Sequence, residues 1–132
     1  MFDTIRDKRV LIVEDEEHNW LLIKEFLDIY DMDSIWVETG AAAFSLLKEK
    51  IDEISFVMLD MKLPMMSGYE IAPQMKSLYP NLPIIAQTAH AQPEDEEKCI
   101  NAGCDGYISK PFTLDEMTDV ISTTLEKTLV YK

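Results

Sequence analysis

The sequence of 132 residues lacks any apolar stretch long enough to cross a membrane, since its longest ones have only the length of a strand. The N-terminal segment MFDTIRDKRV carries charges where a secretory signal peptide needs an apolar core. We therefore predict a cytoplasmic protein without membrane insertion. Repeats, low-complexity tracts and Ser/Gly-rich linkers are also absent. Together with the length, this predicts a single domain over residues 1–132, with a core from about residue 8 to residue 128.

Basic residues are scarce, with 12 Lys and Arg against 25 Asp and Glu, and the formal net charge is -13. No cluster of Lys and Arg is present that would neutralise a run of phosphates. The composition therefore argues against direct binding of nucleic acid.

Cysteine is scarce as well, and Cys99 and Cys104 are the two that occur. Their surroundings offer neither a second cysteine pair nor a histidine that would complete a zinc site. His18 and His90 are equally isolated as metal ligands. We expect two buried or partly buried thiols in a reducing compartment.

Acidic residues form two runs, at residues 14–17 and 94–97. The second run fits the solvated first turn of a helix, where negative charge complements the helix dipole. In the first run, Glu14 and Asp15 follow an apolar run directly and need another explanation.

Unbroken apolar runs alternate along the chain with segments of helical spacing. Runs rich in Val, Ile and Leu are typical of strands that are buried on both faces of a parallel sheet. The predicted strands are residues 8–13 and the segments SIWVE, ISFVMLD, LPIIAQT and DGYIS. In the first intervening segment, Trp20, Ile23 and Leu27 lie on one helical stripe. Five strands that alternate with five helices predict an α/β fold, a doubly wound three-layer sandwich with right-handed crossovers.

Two helix starts have the spacing of a capping box. Ser67 with Glu70 and Thr113 with Glu116 each place an acidic residue three positions after a hydroxyl residue. Pro73 falls inside the helix that follows Ser67 and predicts a kink or a late start of that helix.

Four of the apolar runs end in polar residues of different kinds. These residues are Glu14 and Asp15, Asp60, Thr88, and Lys110. Ligands of parallel α/β sheets bind outside the carboxyl ends of the strands, so the five side chains are expected at one edge. Carboxylates about 4 Å apart repel by roughly 4 kcal/mol per pair at an effective dielectric constant near 20, and a cation relieves this. Hard oxygen ligands favour Mg²⁺. Acidic residues at the end of a single strand are common, so only the presence of all these residues at one edge indicates a functional site.

Lys110 and Thr88 suit a phosphoryl group at the same edge. Lys110 precedes Pro111, and an X-Pro bond that is cis would turn the lysine back toward the carboxylates. Thr88 offers a hydroxyl to a phosphoryl oxygen, although a strand threonine taken by itself more often bonds to the backbone.

These motifs resemble the receiver domain of two-component response regulators. The segments that carry the resemblance are VLIVEDE, LDMKLPMMSG, IIAQTAHA and GYISKPF, and they cover the chain nearly end to end in the family's order and spacing. The resemblance implies a flavodoxin-like (βα)5 domain. It also implies that the domain takes a phosphoryl group from the phosphohistidine of a histidine kinase or histidine phosphotransfer protein and signals to a downstream protein.

The resemblance assigns roles to the residues of the site. Asp60 resembles the phosphoacceptor, and Glu14 and Asp15 resemble the acidic Mg²⁺ pair, although many receivers carry aspartate where Glu14 stands. The position of Lys62 would supply a backbone carbonyl to the metal. Thr88 and Lys110 would hold the phosphoryl oxygens. Thr88 would also act in the conformational switch, together with Tyr107. The surface that changes would consist of the fourth helix, the fifth strand and the fifth helix.

Lys62 and His90 occupy the two variable positions that flank the family's site. Neither is a carboxylate or an amide that would orient an attacking water. We therefore predict slow self-dephosphorylation and single-turnover self-phosphorylation rather than an enzyme.

Three other functions share part of this pattern. A haloacid-dehalogenase-like phosphatase also uses an aspartate at a strand end with Mg²⁺, but it needs a second aspartate where this chain has Lys62. A pseudo-receiver that acts only in protein interactions is disfavoured because no member of the site is missing. A receiver that belongs to a hybrid histidine kinase stays open within signalling.

Overall fold

The computed structural model describes residues 8–89 and 92–130. The strands are β1 (Arg9–Val13), β2 (Asp33–Val37), β3 (Phe56–Asp60), β4 (Ile84–Thr88) and β5 (Gly106–Ser109). The helices are α1 (Glu17–Ile29), α2 (Gly40–Lys50), α3 (Gly68–Leu78), α4 (Pro93–Asn101) and α5 (Leu114–Val130), and Ile51–Glu53 forms a short 3-10 helix. The alternation of strands and helices is therefore the predicted one. None of the described helices is long and apolar enough to span a bilayer.

The five strands form one parallel sheet in the order β2-β1-β3-β4-β5. The chain moves outward from β1 to β2 and then crosses to β3 and moves the other way. This reversal confirms the doubly wound topology. The order of the strands reverses between β1 and β3, which is the topological switch point of the sheet, and a crevice forms there outside the carboxyl ends of the two strands. Every residue of β3 and β4 is buried, as expected for unbroken apolar strands.

Two apolar layers cover the two faces of the sheet. Leu11 and Val13 of β1 belong to the layer that packs against α2, α3 and α4. Val10 and Ile12 belong to the opposite layer, against α1 and α5. All four side chains are fully buried. The structure thus has the predicted three layers, because alternate residues of each strand face opposite helices.

Only one of the two predicted capping boxes forms. The Glu116 N–H donates to Thr113 Oγ1 at 3.1 Å, and the Thr113 N–H donates to the Glu116 carboxylate at 3.1 Å. The prediction for Ser67 is wrong, because its side chain makes no capping bond. The start of α3 is instead held by the backbone, where the Gly68 N–H donates to the carbonyl of Met61 at 3.0 Å.

Of the kink or late start that Pro73 predicted for α3, the late start does not occur, since the helix begins at Gly68 and continues through the proline; the kink stays a prediction. Proline removes a single backbone donor from the helix. Burial of apolar side chains favours the helix despite this loss. Ile71, Ala72 and Met75 on the inner face of α3 are fully buried. Packing of that face against the sheet therefore outweighs the local preference of the proline.

Candidate functional site

The topology brings together acidic residues that are far apart in sequence. Glu14 directly follows β1 and Asp60 ends β3, and these two strands are neighbours in the sheet. Glu14, Asp15 and Asp60 each offer a carboxylate oxygen within 4.8 Å of the other two. Glu14 and Asp60 are buried, whereas Asp15 is more accessible. The three side chains form an acidic cluster at the switch point of the sheet.

Lys110 joins two of these carboxylates. Its Nζ lies 3.0 Å from Glu14 Oε1 and 3.1 Å from Asp60 Oδ2. With three carboxylates ionised and one ammonium, the cluster would carry a net charge of about -2. That charge and the exclusively hard oxygen ligands fit a divalent cation such as Mg²⁺.

Backbone amides hold the second oxygen of each buried carboxylate. The Lys62 N–H donates to Asp60 Oδ1 at 2.9 Å, and the Glu16 N–H donates to Glu14 Oε2 at 3.2 Å. Each carboxylate is therefore held between Lys110 and the backbone that follows its own strand. Such pairs of directional bonds fix the orientation of the carboxylate groups.

Burial, together with the neighbouring Asp60 carboxylate, raises the pKa of Glu14 to about 7, although Lys110 opposes this shift. Burial tends to lower the pKa of Lys110, but the charges and hydrogen bonds of Asp60 and Glu14 outweigh it and raise that pKa. Lys110 thus stays charged. A bound cation would favour the ionised form of Glu14 by adding a second opposite charge.

Trp36, which is stacked on Trp20, holds the backbone of Glu14, and sequence reasoning did not predict this contact. Trp36 Nε1 donates to the backbone carbonyl of Glu14 at 2.6 Å. The ring of Trp20 stacks on Trp36 with centroids 4.4 Å apart and an angle of 9° between the planes. Trp20 was expected only as part of a helical stripe. The hydrogen bond joins Trp36 of β2 to Glu14 at the end of β1, so no local sequence pattern predicts it.

Gly68 lies against the backbone that follows Asp60. A Cβ at this position would lie 2.6 Å from the Met61 Cα and 2.9 Å from the carbonyl oxygen of Asp60. A glycine is therefore needed here because a Cβ atom has no room, and not because the backbone adopts a conformation that only glycine allows. The start of α3 packs directly on the acidic strand end because this side chain is missing.

The other predicted site residues lie at or near the same edge. Thr88 is buried at the end of β4, and its carbonyl accepts from the Lys110 N–H at 2.7 Å. The bond between Lys110 and Pro111 is cis, as the sequence suggested. Tyr107 is half-buried in β5 and packs against the core layer of α2, α3 and α4. The side chain of Lys62 is exposed.

His90, predicted to flank the site, lies outside the described residues. Its place relative to the acidic cluster therefore stays a prediction.

Comparisons with known proteins identify the family and agree with the fold. Residues 10–122 match the family described as the response regulator receiver domain. The polar-differentiation response regulator DivK of Brucella ovis is 32% identical over 120 residues, which cover 89% of this chain and 96% of that protein. A CheY-like response regulator receiver domain protein from Methanospirillum hungatei has a TM-score of 0.84 at 25% identity, covering 96% of this chain and 99% of that one.

A receiver domain of a signal transduction histidine kinase from Syntrophus aciditrophicus shares the fold, with a TM-score of 0.80 at 23% identity over 91% of each chain. The family match spans most of the sequence, and the sheet order is that of the flavodoxin-like (βα)5 fold. Receiver domains act in phosphorelay signalling, in which they interact with kinases and phosphotransfer proteins. The chain belongs to the family of response regulator receiver domains.

Proposed function

We propose that Asp60 is the single phosphoacceptor of this domain and that it takes the phosphoryl group from a phosphohistidine in a Mg²⁺-dependent reaction. The donor would be a histidine kinase or a histidine phosphotransfer protein. The observation that carries the proposal is the position of Asp60 beside Glu14 and Asp15, with Lys110 bridging Asp60 and Glu14.

In this reaction, an oxygen of Asp60 forms a bond to phosphorus while the bond between phosphorus and the histidine nitrogen of the donor breaks. Lys110 carries a positive charge beside that oxygen and would stabilise the negative charge that spreads over the phosphoryl oxygens. The Lys62 N–H orients the carboxylate. The hydroxyl of Thr88 would donate to a phosphoryl oxygen.

Glu14, Asp15 and Asp60, together with the backbone carbonyl of Lys62, would hold Mg²⁺, which supplies positive charge next to the phosphoryl group. The fit rests on the donor set, which consists of oxygens within 4.8 Å of one another in the acidic cluster. The protein would be its own substrate in a single turnover, and it would act in the cytoplasm.

The output of phosphorylation would be a shift in population between two conformations. Thr88 would move toward the phosphoryl group, and Tyr107 would fill the space that it leaves. The surface that responds would be formed by α4, β5 and α5. Tyr107 is half-buried in β5, which pairs with the strand that Thr88 ends, and it packs against the core layer that includes α4; this position supports the proposal.

The lifetime of the phosphorylated state would be set by the residues that flank Asp60. Lys62 has an exposed side chain directly after the acidic strand end, and its long stem can reach over the phosphoryl group. His90 would occupy the opposite side. Both would obstruct rather than orient an attacking water, so self-dephosphorylation would be slow.

The test of the acceptor is incubation with acetyl phosphate and Mg²⁺, followed by mass spectrometry of the intact protein. We expect one phosphoryl group on the wild type and none on Asp60→Asn. Asp105→Asn is a matched control, because Asp105 is likewise bonded to a lysine, but its carboxylate is only partly buried and lies at the opposite end of the sheet. Equal labelling of Asp60→Asn and the wild type would overturn the assignment.

A further inference from the structure

Gln87 places a buried amide beside Asp60. It is fully buried in β4, and it lies opposite Asp60 in the register of β3 and β4. Within the part of the chain that the structure describes, neither its amide nitrogen nor its amide oxygen has a hydrogen-bond partner. A buried amide that has given up its hydrogen bonds to water without a replacement destabilises the folded state. A donor that reached this amide would remove part of that cost.

The side chain of Gln87 lies on the same face of the sheet as that of Asp60. Successive residues of a strand point to opposite faces. Ile85 of β4 and Met58 of β3 belong to the apolar layer against α1 and α5. Gln87 and Asp60 lie two residues further along these strands and therefore point to the same side. The two side chains are neighbours across adjacent strands.

Lys110 crosses the end of β4 at this point. It follows β5, whereas its ammonium contacts the carboxylate of Asp60 in β3 at 3.1 Å, and β4 lies between these two strands. Neighbouring strands are about 4.8 Å apart, so the lysine side chain reaches across roughly two strand spacings. Gln87 and Lys110 also line the same cavity beside α1. The stem of Lys110 therefore passes next to the buried amide.

The partners of Lys110 change when Asp60 carries a phosphoryl group. Within the described ranges, two of the three N–H donors of its ammonium have partners, which are Glu14 at 3.0 Å and Asp60 at 3.1 Å. In the reaction proposed for Asp60, the Glu14 carboxylate turns to the cation, and the oxygen of Asp60 that is bonded to phosphorus loses its negative charge. A phosphoryl oxygen replaces one of these acceptors. The side-chain oxygen of Gln87 is available to replace the other.

We propose that Gln87 is a positioning residue, whose side-chain oxygen accepts a hydrogen bond from the Lys110 ammonium in the phosphorylated domain. The inference rests on the function proposed for Asp60. The amide has no such bond in the unphosphorylated domain, and it gains one when Lys110 turns to the phosphoryl group. A side chain that is satisfied in one of two conformations favours that conformation. Gln87 thus stabilises the phosphorylated domain at the expense of the unphosphorylated one.

The test compares Gln87→Met with the wild type in both states. Methionine keeps the length of the side chain and removes both amide groups. Without Mg²⁺ and without a phosphoryl mimic, we expect Gln87→Met to raise Tm, because a buried amide without partners is lost. Beryllium fluoride with Mg²⁺ then mimics the phosphoryl group on Asp60, and its binding is followed by tryptophan fluorescence. Its affinity for Gln87→Met should be about tenfold lower than for the wild type.

Ser122→Ala is the matched control. Ser122 is also buried, and among the described residues its hydroxyl likewise has no hydrogen-bond partner. It lies about two turns into α5, outside the walls that Gln87 shares with Lys110. This variant should leave the affinity for beryllium fluoride unchanged, whatever its effect on Tm. Gln87→Leu is a second apolar replacement and should behave as Gln87→Met does.

A lower Tm of both Gln87→Met and Gln87→Leu in the absence of the mimic would overturn the proposal, because the amide would then already have a partner such as an ordered water. Equal affinity of the wild type and Gln87→Met for beryllium fluoride would overturn it as well. A wild type that does not bind beryllium fluoride would contradict the function proposed for Asp60, and the role of Gln87 with it.

Discussion

Glu14 is the most constrained residue of the site. Its backbone N–H donates to the Val37 carbonyl at 3.0 Å, and its own carbonyl accepts from Trp36. Its carboxylate is bonded to Lys110 and to the Glu16 N–H. Every polar group of this fully buried residue therefore has a partner. Because the backbone of Glu14 is held by β2, changes in β2 are expected to alter the geometry of the acidic cluster.

The first prediction concerns the indole N–H of Trp36. Trp36→Phe keeps an aromatic ring against Trp20 but removes the donor to the Glu14 carbonyl. We expect Mg²⁺ affinity to fall by about tenfold, which is typical when a residue that orients a metal ligand is changed. Affinity is measured as the dependence of Tm on Mg²⁺ concentration.

Trp20→Phe is the matched control for this prediction. It removes an indole N–H from the same stacked pair, but among the described residues the Trp20 nitrogen has no hydrogen-bond partner. Mg²⁺ affinity should stay close to that of the wild type. An equal loss of affinity in both variants would assign the effect to the stack rather than to the bond with Glu14.

The second prediction concerns the space beside Asp60. In Gly68→Ala, the new methyl group meets backbone atoms of Met61 and Asp60, and this backbone cannot move without shifting Asp60. We expect the free energy of unfolding to fall by about 1–3 kcal/mol, as is usual for overpacking. Labelling of Asp60 by acetyl phosphate should also slow.

Gly40→Ala tests whether any added methyl group in a buried glycine position has this effect. A Cβ at Gly40 would come within 2.7 Å of the Cδ1 atom of Ile71, which is the end of a flexible side chain. Stability is expected to fall less, and the rate of labelling should be unchanged. A slower rate in Gly40→Ala than in Gly68→Ala would contradict the explanation.

At the scale of elements, α3 and α5 begin in physically different ways, although the sequence predicts a capping box at the start of each. Thr113 and Glu116 exchange two hydrogen bonds at the start of α5. At the start of α3, the backbone bond from Gly68 to Met61 takes the place of a side-chain cap. The start of α3 therefore depends on the loop that follows the acidic strand end, whereas α5 begins with a purely local contact.

The third prediction follows from this difference. Thr113→Ala should lower the free energy of unfolding by about 1 kcal/mol, because the Glu116 N–H loses its acceptor. Ser67→Ala is the matched change at α3 and should cost clearly less, since the Ser67 side chain makes no capping bond. Urea denaturation of the two variants gives the comparison. Equal losses would show that Ser67 caps α3 in solution.

At the scale of the whole molecule, negative charge is in large excess, with a formal net charge of -13. Self-repulsion of this kind destabilises a compact state and is screened by salt. The repulsion is concentrated where the three carboxylates of the acidic cluster meet. General screening and specific binding of a cation are therefore both expected to stabilise the protein.

The fourth prediction separates these two effects. At equal ionic strength, MgCl₂ should raise Tm above the value in NaCl, because binding to the folded state adds to screening. In Asp15→Asn, the additional increase with MgCl₂ should largely disappear, while the response to NaCl remains. Identical curves for the two salts in the wild type would count against a metal site.

Much of this molecule follows from local sequence. Unbroken apolar runs predicted the strands of a parallel sheet, and that class of sheet gathers the ends of its strands at one edge. This is why Glu14, Asp60 and Lys110 were expected together before any distance was known. The family and the fold inferred from the motifs are confirmed, while the chemical roles of these residues stay predictions. The box at Thr113 was also predictable, because its partner lies three residues away.

The other features of the site are determined by tertiary packing. The bond between Trp36 and Glu14 spans 22 residues and depends on the register of β1 and β2, which no short segment encodes. The start of α3 depends on Gly68 fitting against the loop after Asp60. Among the described residues, the buried amide of Gln87 has no hydrogen-bond partner, although the sequence places it in a largely apolar strand. Contacts of this kind join segments that are distant along the chain, and their geometry is defined only when the layers have packed.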